Sequence, residues 1–159
     1  MSELDDDDIH VLLEALDDEY LAFTTYSQVL EDFGPVRPFT NIRNAESRHI
    51  NALLSLFDRY SLAVPDNPWP GRVDRYASVT AACQAGVQAE IANGAMYERL
   101  LQRAHKPDTI AVLTNLQDAS QTRHLPAFQR CAERGAGSGR QRQERHCGGA
   151  SRRHRQRGA

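Results

Sequence analysis

Apolar residues recur along most of this chain at alternating steps of three and four, which is the spacing of one face of an α-helix. The inward face of the first such segment contains Ile9, Leu12, Leu16, Phe23 and Leu30. Segments of this kind are separated by glycine and proline, which end helices. The pattern predicts an all-α protein with helices at about residues 9–33, 39–60, 77–104 and 108–133.

The connections between the predicted helices differ in length. Gly34 to Pro38 is a short link, so the second helix should return antiparallel to the first. Residues 61–76 contain three prolines and a glycine, which exclude a regular helix over a stretch long enough to cross the length of a bundle. The third connection, near Pro107, is again short. We therefore predict a four-helix bundle with one long crossover between helices 2 and 3.

Each predicted helix carries an acid or a histidine within its apolar face. These residues are Glu19, Glu46, His49, Glu90 and His124. A buried charged group needs a strong partner to offset the loss of hydration. Glutamate and histidine three residues apart on one helix project together into a bundle, as in carboxylate-bridged metal sites. The five residues are therefore predicted to be metal ligands midway along the bundle.

Each ligand also has a simpler interpretation. Glu19 and Glu90 could be core acids that form salt bridges with Arg48 and Arg123, and each histidine could be a hydrogen-bonded core residue. Four helices with polar residues in register favour the metal site over these alternatives. Tyr26 and Tyr97 lie seven residues after Glu19 and Glu90, and they are either packing aromatics with a hydroxyl partner or hydrogen-bonding or redox-active groups beside the ligands.

The two halves of the chain look like copies of one helical hairpin. Glu19 and Tyr26 recur 71 residues later as Glu90 and Tyr97. The stretch that begins at Glu46 and contains Arg48 and His49 recurs 75 residues later, with Gln121 at its start followed by Arg123 and His124. Pro126 follows this second copy and predicts a kink near His124, because proline cannot donate a backbone hydrogen bond.

Charge divides the chain into two regions that the total of -2 conceals. Residues 1–134 hold 12 basic and 20 acidic residues, a net charge of -8, whereas residues 135–159 hold 7 arginines and one glutamate, a net charge of +6. The second region has few apolar residues, so we predict a bundle over 1–134 and a disordered basic tail over 135–159. Clustered arginine could bind nucleic acid, but no aromatic residue is interleaved for base stacking, so the tail is more simply an extension without that function.

Three cysteines, Cys83, Cys131 and Cys147, have neither metal-binding spacing nor an even number, so they predict neither a zinc site nor a disulfide framework. The acidic N-terminus, with Asp6 to Asp8 as candidate helix caps, does not resemble a signal peptide. No apolar run approaches the ~20 residues of a membrane helix. These features predict a cytoplasmic protein without membrane contact.

The ligand pattern resembles the di-iron carboxylate pattern of the ferritin-like superfamily. Within that group, the chain resembles a prokaryotic family catalogued as domain of unknown function 2202. The second resemblance rests on LDDEY at 16–20, FGPVRPF at 33–39, NPW at 67–69 and RHLPAF at 123–128. It covers about residues 9–134. It implies a ferritin-like four-helix bundle with a metal site midway along its axis, and it does not name a reaction.

Gln121 departs from the ferritin-like pattern, which has glutamate at this position. Three carboxylates contribute -3 against +4 for two divalent ions. The second metal position is therefore predicted to be weaker, completed by water or hydroxide, or empty, with Gln121 beside the ligands. Oxygen and nitrogen donors without thiolate suit iron, with manganese as the alternative.

We therefore expect Fe(II) oxidation or peroxide reduction, with dioxygen or peroxide as partner. The chain has no Cys-x-x-Cys pair, so a peroxidase would need an external electron donor. The alternative function is a non-enzymatic helical module whose polar cluster is structural. A homodimer is a candidate assembly.

Overall fold

The computed structural model describes the backbone of residues 3–144 and the side chains of residues 3–135. Within this part of the chain all regular structure is helical, as the periodicity predicts. The elements are α1 (Asp6–Phe33), α2 (Phe39–Arg59), α3 (Val79–Arg103), α4 (Pro107–Ala119), a π-helical turn (Ser120–His124) and α5 (Leu125–Glu144). The last three follow one another without a break, so they form a single fourth helix.

Local sequence explains where the helices begin and end. Asp5 is the N-cap of α1, and its carboxylate accepts a hydrogen bond from the Asp8 amide at 2.8 Å. The cap was expected among Asp6 to Asp8, which instead form the acidic first turn. Gly34, at φ +79°, ends α1 in a conformation that favours glycine. At the start of α3, the Ser78 hydroxyl accepts from the Ala81 amide at 3.0 Å.

The fourth helix continues past the predicted end at residue 133 and past the predicted domain boundary at 134. It is helical as far as Glu144, the last residue that the structure describes, and the arginine, glutamine and glutamate residues at 140–144 favour helix. Gly135 lies so close to α3 that a Cβ there would meet the Thr80 hydroxyl at 2.0 Å. The helix therefore packs on α3 at residue 135, where we had predicted disorder. The rest of the predicted tail, 145–159, lies outside the described residues.

Two apolar clusters fill the bundle, and the predicted ligands lie between them along every helix. Leu12 of α1, Phe57 of α2 and Leu100 of α3 belong to the first cluster. The second contains Phe39 and Phe128, whose ring centroids are 5.3 Å apart. The polar residues of the core are therefore enclosed above and below by apolar side chains.

A disulfide joins α3 to α5 in the second apolar cluster. It links Cys83 and Cys131, whose Cα atoms are 5.9 Å apart. The sequence did not predict this bond, because the two cysteines are 48 residues apart and meet only through the packing of two helices. The third cysteine, Cys147, lies outside the described residues.

The long connection between α2 and α3 lies along α1. Near its start, the Tyr20 hydroxyl of α1 donates to the Pro65 carbonyl at 3.0 Å. Near its end, Arg75 forms an ion pair with Asp32, close to the C-terminus of α1. In the part of the chain described here, no helix has the length and hydropathy needed to cross a bilayer.

Candidate metal centre

The structure brings the five predicted ligand side chains together. Glu19 comes from α1, Glu46 and His49 from α2, Glu90 from α3 and His124 from the π-helical turn. The three glutamates and His124 are between 2 and 4 % exposed, and the His49 side chain is 13 % exposed. Potential ligand atoms lie within 4.8 Å of one another in two groups of three, Glu19 with Glu46 and His49, and Glu46 with Glu90 and His124. Glu46 therefore belongs to both groups.

The two oxygens of Glu46 face opposite halves of this cluster. Its Oε2 is 3.1 Å from Nδ1 of His49, and its Oε1 is 3.2 Å from Nδ1 of His124. The same histidine atoms are each 3.5 Å from a second carboxylate, that of Glu19 and that of Glu90 respectively. The two imidazole rings are stacked, with centroids 5.5 Å apart and planes 18° apart. The cluster thus has two similar halves joined by one carboxylate.

The arginine salt bridges considered from the sequence are not formed. Arg48 and Arg123 are exposed, and among the described side chains the ionic partners of the buried glutamates are histidines. A buried acid without a fixed cation needs another source of positive charge. The geometry therefore favours a site for protons or metal ions over a structural arginine network.

Burial and mutual contact shift the pKa values of the cluster in opposite directions. Burial raises the pKa of Glu19 well above its ordinary value, and repulsion by Glu46 adds to this shift. Burial also opposes ionisation of Glu46, but its close contacts with Glu19, His124 and His49 outweigh it and hold the pKa of Glu46 well below its usual range. Glu46 is therefore the anion around which the metal-free cluster is arranged.

Both histidines hold protons strongly in the metal-free protein. Burial alone would lower their pKa values, but the carboxylates of Glu19 and Glu46, 3.5 and 3.1 Å from its Nδ1, raise the pKa of His49 to about 9. The carboxylates of Glu46 and Glu90, 3.2 and 3.5 Å from its Nδ1, likewise raise the pKa of His124 to about 9. At neutral pH the cluster therefore holds protons where metal ions would bind.

The two predicted tyrosines each contact the glutamate of the other hairpin. The Tyr26 hydroxyl of α1 donates to Oε1 of Glu90 at 3.0 Å, and the Tyr97 hydroxyl of α3 donates to Oε1 of Glu19. Burial, together with the neighbouring carboxylates, raises the pKa of both phenols well above the ordinary value, so they remain donors. Each tyrosine thus fixes one glutamate oxygen.

The π-helical turn changes which residue of the fourth helix faces the cluster. The sequence predicts Gln121 at the position equivalent to Glu46, but the wider turn places Ser120 there, with its hydroxyl donating to Oε2 of Glu90 at 2.5 Å. Gln121 instead donates to the Glu90 carbonyl at 2.9 Å. The expected irregularity near His124 is thus a π-helical turn just before Pro126, and sequence reasoning missed Ser120.

Two buried polar atoms of the cluster have no hydrogen-bond partner among the described residues. They are Oε2 of Glu19 and Nδ1 of His124, which approaches Glu46 without forming a hydrogen bond. Such atoms are costly to bury without a partner. They lie in different halves of the cluster, and a cation in each half would satisfy both once His124 has released its proton. The donor set of carboxylate oxygen and imidazole nitrogen fits iron or manganese.

A cavity of about 300 Å³ reaches the cluster between α1, α3 and the long connection. Tyr26, Glu90 and Asp18 are among the residues that line it. Asp18 is half-buried and accepts a hydrogen bond from Asn93. Burial raises the pKa of Asp18 to about 6. This cavity gives small molecules a route to the carboxylate side of the cluster.

Fold and site together define a four-helix all-α protein with a buried cluster of glutamate and histidine. Residues 8–76, which include α2 and most of α1, match the model of a family described as "Uncharacterized protein domain (DUF2202)". The match confirms the family resemblance over these residues, fewer than the 9–134 expected. No curated protein matches the chain.

Among solved structures, the chain is similar to the crystal structure of hypothetical protein MJ0754 from Methanococcus jannaschii DSM 2661. The TM-score is 0.72 at 20 % sequence identity, over 86 % of this chain and 85 % of that chain. At this identity the similarity concerns the fold alone.

Proposed function

We propose that this protein is a ferritin-like metalloprotein that binds two iron ions and uses them in Fe(II) oxidation or peroxide reduction, with manganese as the alternative metal. The observation that carries the proposal is the position of Glu46, which is shared by two groups that each contain a second glutamate and a histidine. A bridging carboxylate between two such groups is typical of di-metal sites in helical bundles.

The arrangement of the helices supports the ferritin-like assignment. Short connections join α1 to α2 and α3 to α4, whereas the connection between α2 and α3 is long and lies along α1. One long crossover between two hairpins is the topology of ferritin-like bundles. The buried cluster lies midway along these helices, between the two apolar clusters.

Each half of the site has its own set of residues. Glu19 and His49 would hold one ion, Glu90 and His124 the other, and Glu46 would contact both. When bound, the metal would supply redox chemistry with dioxygen or peroxide. Three protein donors in each half leave coordination positions for water or substrate. Because the fourth helix supplies no carboxylate, the residues present do not neutralise two divalent ions.

The protein side chains have supporting roles in this proposal. Tyr26 and Tyr97 hold Glu90 and Glu19 in fixed orientations by donating to one oxygen of each. Ser120 donates to the remaining oxygen of Glu90 and limits its rotation further. Supporting hydrogen bonds of this kind orient metal ligands and tune their basicity. A peroxidase of this type would take electrons from an external donor.

A non-enzymatic helical module is the second candidate. It is favoured by the hydrogen bonds that other side chains donate to the glutamates, from Tyr97 to Glu19 and from Ser120 to Glu90. In this case the cluster fixes the register of the helices, and any bound metal is structural. Metal would then raise the melting temperature without any turnover of Fe(II) or peroxide.

Anaerobic titration with Fe(II), followed by metal analysis of the washed protein, tests the site. We expect two ions per chain in the parent, one in His49→Ala and in His124→Ala, and none in Glu46→Ala, because Glu46 serves both halves. Glu98→Ala removes an exposed glutamate of α3 and should still bind two. Circular dichroism in chelator establishes that each variant is folded.

The stoichiometries and the subsequent reaction separate the candidates. Parental metal binding by folded Glu46→Ala would remove the site from this protein. Addition of dioxygen or peroxide to the Fe(II)-loaded parent should oxidise the iron, and the spectrum of the ferric product measures this. Two bound ions that neither reagent oxidises would favour the structural module.

A further inference from the structure

A second cavity reaches the cluster from the opposite side to the first. It has a volume of about 320 Å³ and lies between α2 and the fourth helix. His49 and His124, which are nearly buried, form its inner wall. Arg48 and Arg123, which are exposed, lie at its mouth. We call it the arginine cavity.

Among the described side chains, none pairs with the two arginines at the mouth, whereas some other exposed arginines of the bundle have an ionic partner. Arg59 pairs with Asp108 and Arg75 pairs with Asp32, so these guanidinium groups are neutralised locally. Among the side chains that the structure describes, none forms an ion pair or a hydrogen bond with Arg48, and the same is true of Arg123. Both guanidinium groups are therefore available to an external anion.

No carboxylate among the described residues that line the arginine cavity competes with an external anion. None of the described residues that line it is acidic, and Asn41 supplies the one neutral amide among them. The cavity on the other side of the cluster differs, because Asp18, Asp74 and Glu90 line it together with Arg72. An anion is thus attracted to the arginine cavity and repelled from the other.

Most of the remaining lining is apolar and small. Ile42 and Ala45 contribute from α2, and Ala119 and Ala127 contribute from the fourth helix. A volume of about 320 Å³ is at the lower end of the range for small-molecule sites. A short hydrocarbon body would be dehydrated against these side chains, whereas a bare phosphate ion would leave them without a partner.

We propose that the arginine cavity binds a small organic acid. Its carboxylate lies between Arg48 and Arg123, because guanidinium groups bind planar carboxylates through paired hydrogen bonds. Its apolar body lies against the small apolar side chains of the lining, Ile42, Ala45, Ala119 and Ala127. The inference rests on the proposed function in one respect, since it places this acid beside the proposed metal centre and makes it the substrate or effector of that centre.

Titration of the full chain with butyrate tests the proposal, in metal-free and in Mn(II)-loaded protein at constant ionic strength. The guanidinium resonances of Arg48 and Arg123 report binding by NMR in the metal-free protein, and calorimetry reports binding in the Mn(II)-loaded protein. We expect one butyrate per chain, and we expect Arg48→Gln and Arg123→Gln each to weaken binding by about tenfold. Arg130→Gln removes an exposed arginine of α5 and is the matched control, with a change of less than about twofold.

Two other ligands test the chemistry of the site. Butyramide has the same shape without the charge, and we expect no binding. Equal binding of butyramide, absence of butyrate binding, or an equal loss in Arg130→Gln would overturn the proposal. Tighter binding of inorganic phosphate than of butyrate would overturn the assignment to an organic acid.

The metal-free arm separates this proposal from the proposed function. Butyrate binding that depends on both arginines, in a chain that binds no metal, supports the arginine cavity and refutes the metal centre. Two bound ions with no butyrate binding to either form of the protein would support the metal centre and refute the arginine cavity. Arg48→Gln and Arg123→Gln should each retain two metal ions, since neither side chain reaches the glutamates.

Discussion

The raised pKa values of His49 and His124 make a sharp prediction about pH, with opposite signs for the metal-free and the metal-bound protein. A group whose pKa is higher in the folded protein stabilises the fold while it is protonated. For both histidines this contribution is complete below the ordinary value of 6.5 and is lost as pH rises through about 9. Glu19 contributes to the pH dependence of stability with the same sign, because its pKa is also raised in the folded protein. Metal-free protein should therefore lose stability between pH 6.5 and 9.

The size of this loss follows from the number of protons released. One proton corresponds to about 1.4 kcal/mol per pH unit, so two pH units reduce the free energy of unfolding by roughly 3 kcal/mol. The two rings share Glu46 and are stacked 5.5 Å apart, so we expect their losses to be coupled and not fully additive. The lowered pKa of Glu46 does not contribute here, since its stabilisation is present above its ordinary value of 4.5 and is lost only as the pH falls.

Metal binding should show the reverse trend. An ion must displace the proton from the histidine of its half-site, so apparent affinity should rise by about tenfold per pH unit for each proton displaced. Between pH 6.5 and 8.5 this is about 100-fold for one proton per ion. Loss of the Glu19 proton would steepen the dependence in the half that contains His49.

Two measurements test this prediction. Urea unfolding in chelator at intervals from pH 6.5 to 9 gives the metal-free stability, and calorimetric Mn(II) titration in buffers of different ionisation enthalpy counts the released protons. The double variant His49→Asn with His124→Asn should show a much weaker pH dependence of metal-free stability. Metal-free stability that stays constant or increases over this range, or metal binding without proton release, would refute the reasoning.

Three further predictions concern stability in chelator, measured by urea unfolding. Gly86→Ala should destabilise by about 1–3 kcal/mol, because the new Cβ would lie 2.7 Å from the Phe128 ring; an unchanged value would mean that this ring moves freely. Reduction of the disulfide between Cys83 and Cys131, which are 48 residues apart, should lower the free energy of unfolding by about 4 kcal/mol. The stability of the double variant Cys83→Ala with Cys131→Ala should not respond to reductant. Gln121→Glu should lower stability by about 1–3 kcal/mol, because it replaces a donor to the Glu90 carbonyl with a carboxylate; a gain would show that the side chain turns elsewhere.

Sequence periodicity was sufficient to predict the four helices and the place of the polar cluster along them. Glu46 and His49 interrupt an otherwise apolar face, and burial makes such interruptions informative. Periodicity could not reveal Ser120, because a π-helical turn shifts the register by about one residue and moves Gln121 off the inward face. Pro126 was the only local signal of that shift, and it predicted a kink without showing which residue would turn inward.

Other features depend on contacts that sequence spacing does not encode. Cys83 and Cys131 both lie on inward faces, yet only the packing of α3 against α5 brings them together. Asp18 lies off the apolar face of α1, but the long connection covers this side of the helix and lowers the exposure of Asp18. The end of the fourth helix was misjudged at Gly135, whose lack of a side chain permits close packing on Thr80.

The crossed tyrosine contacts bear on how such a cluster could have arisen. Tyr26 of the first hairpin serves Glu90 of the second, and Tyr97 of the second serves Glu19 of the first. Two identical hairpins related by a twofold axis would make the same pair of contacts with a single tyrosine and a single glutamate in each copy. A symmetric dimer of one such hairpin would therefore form both crossed contacts. Fusion of two such copies would then allow each half to change separately, and the second half has Gln121 where the first has Glu46.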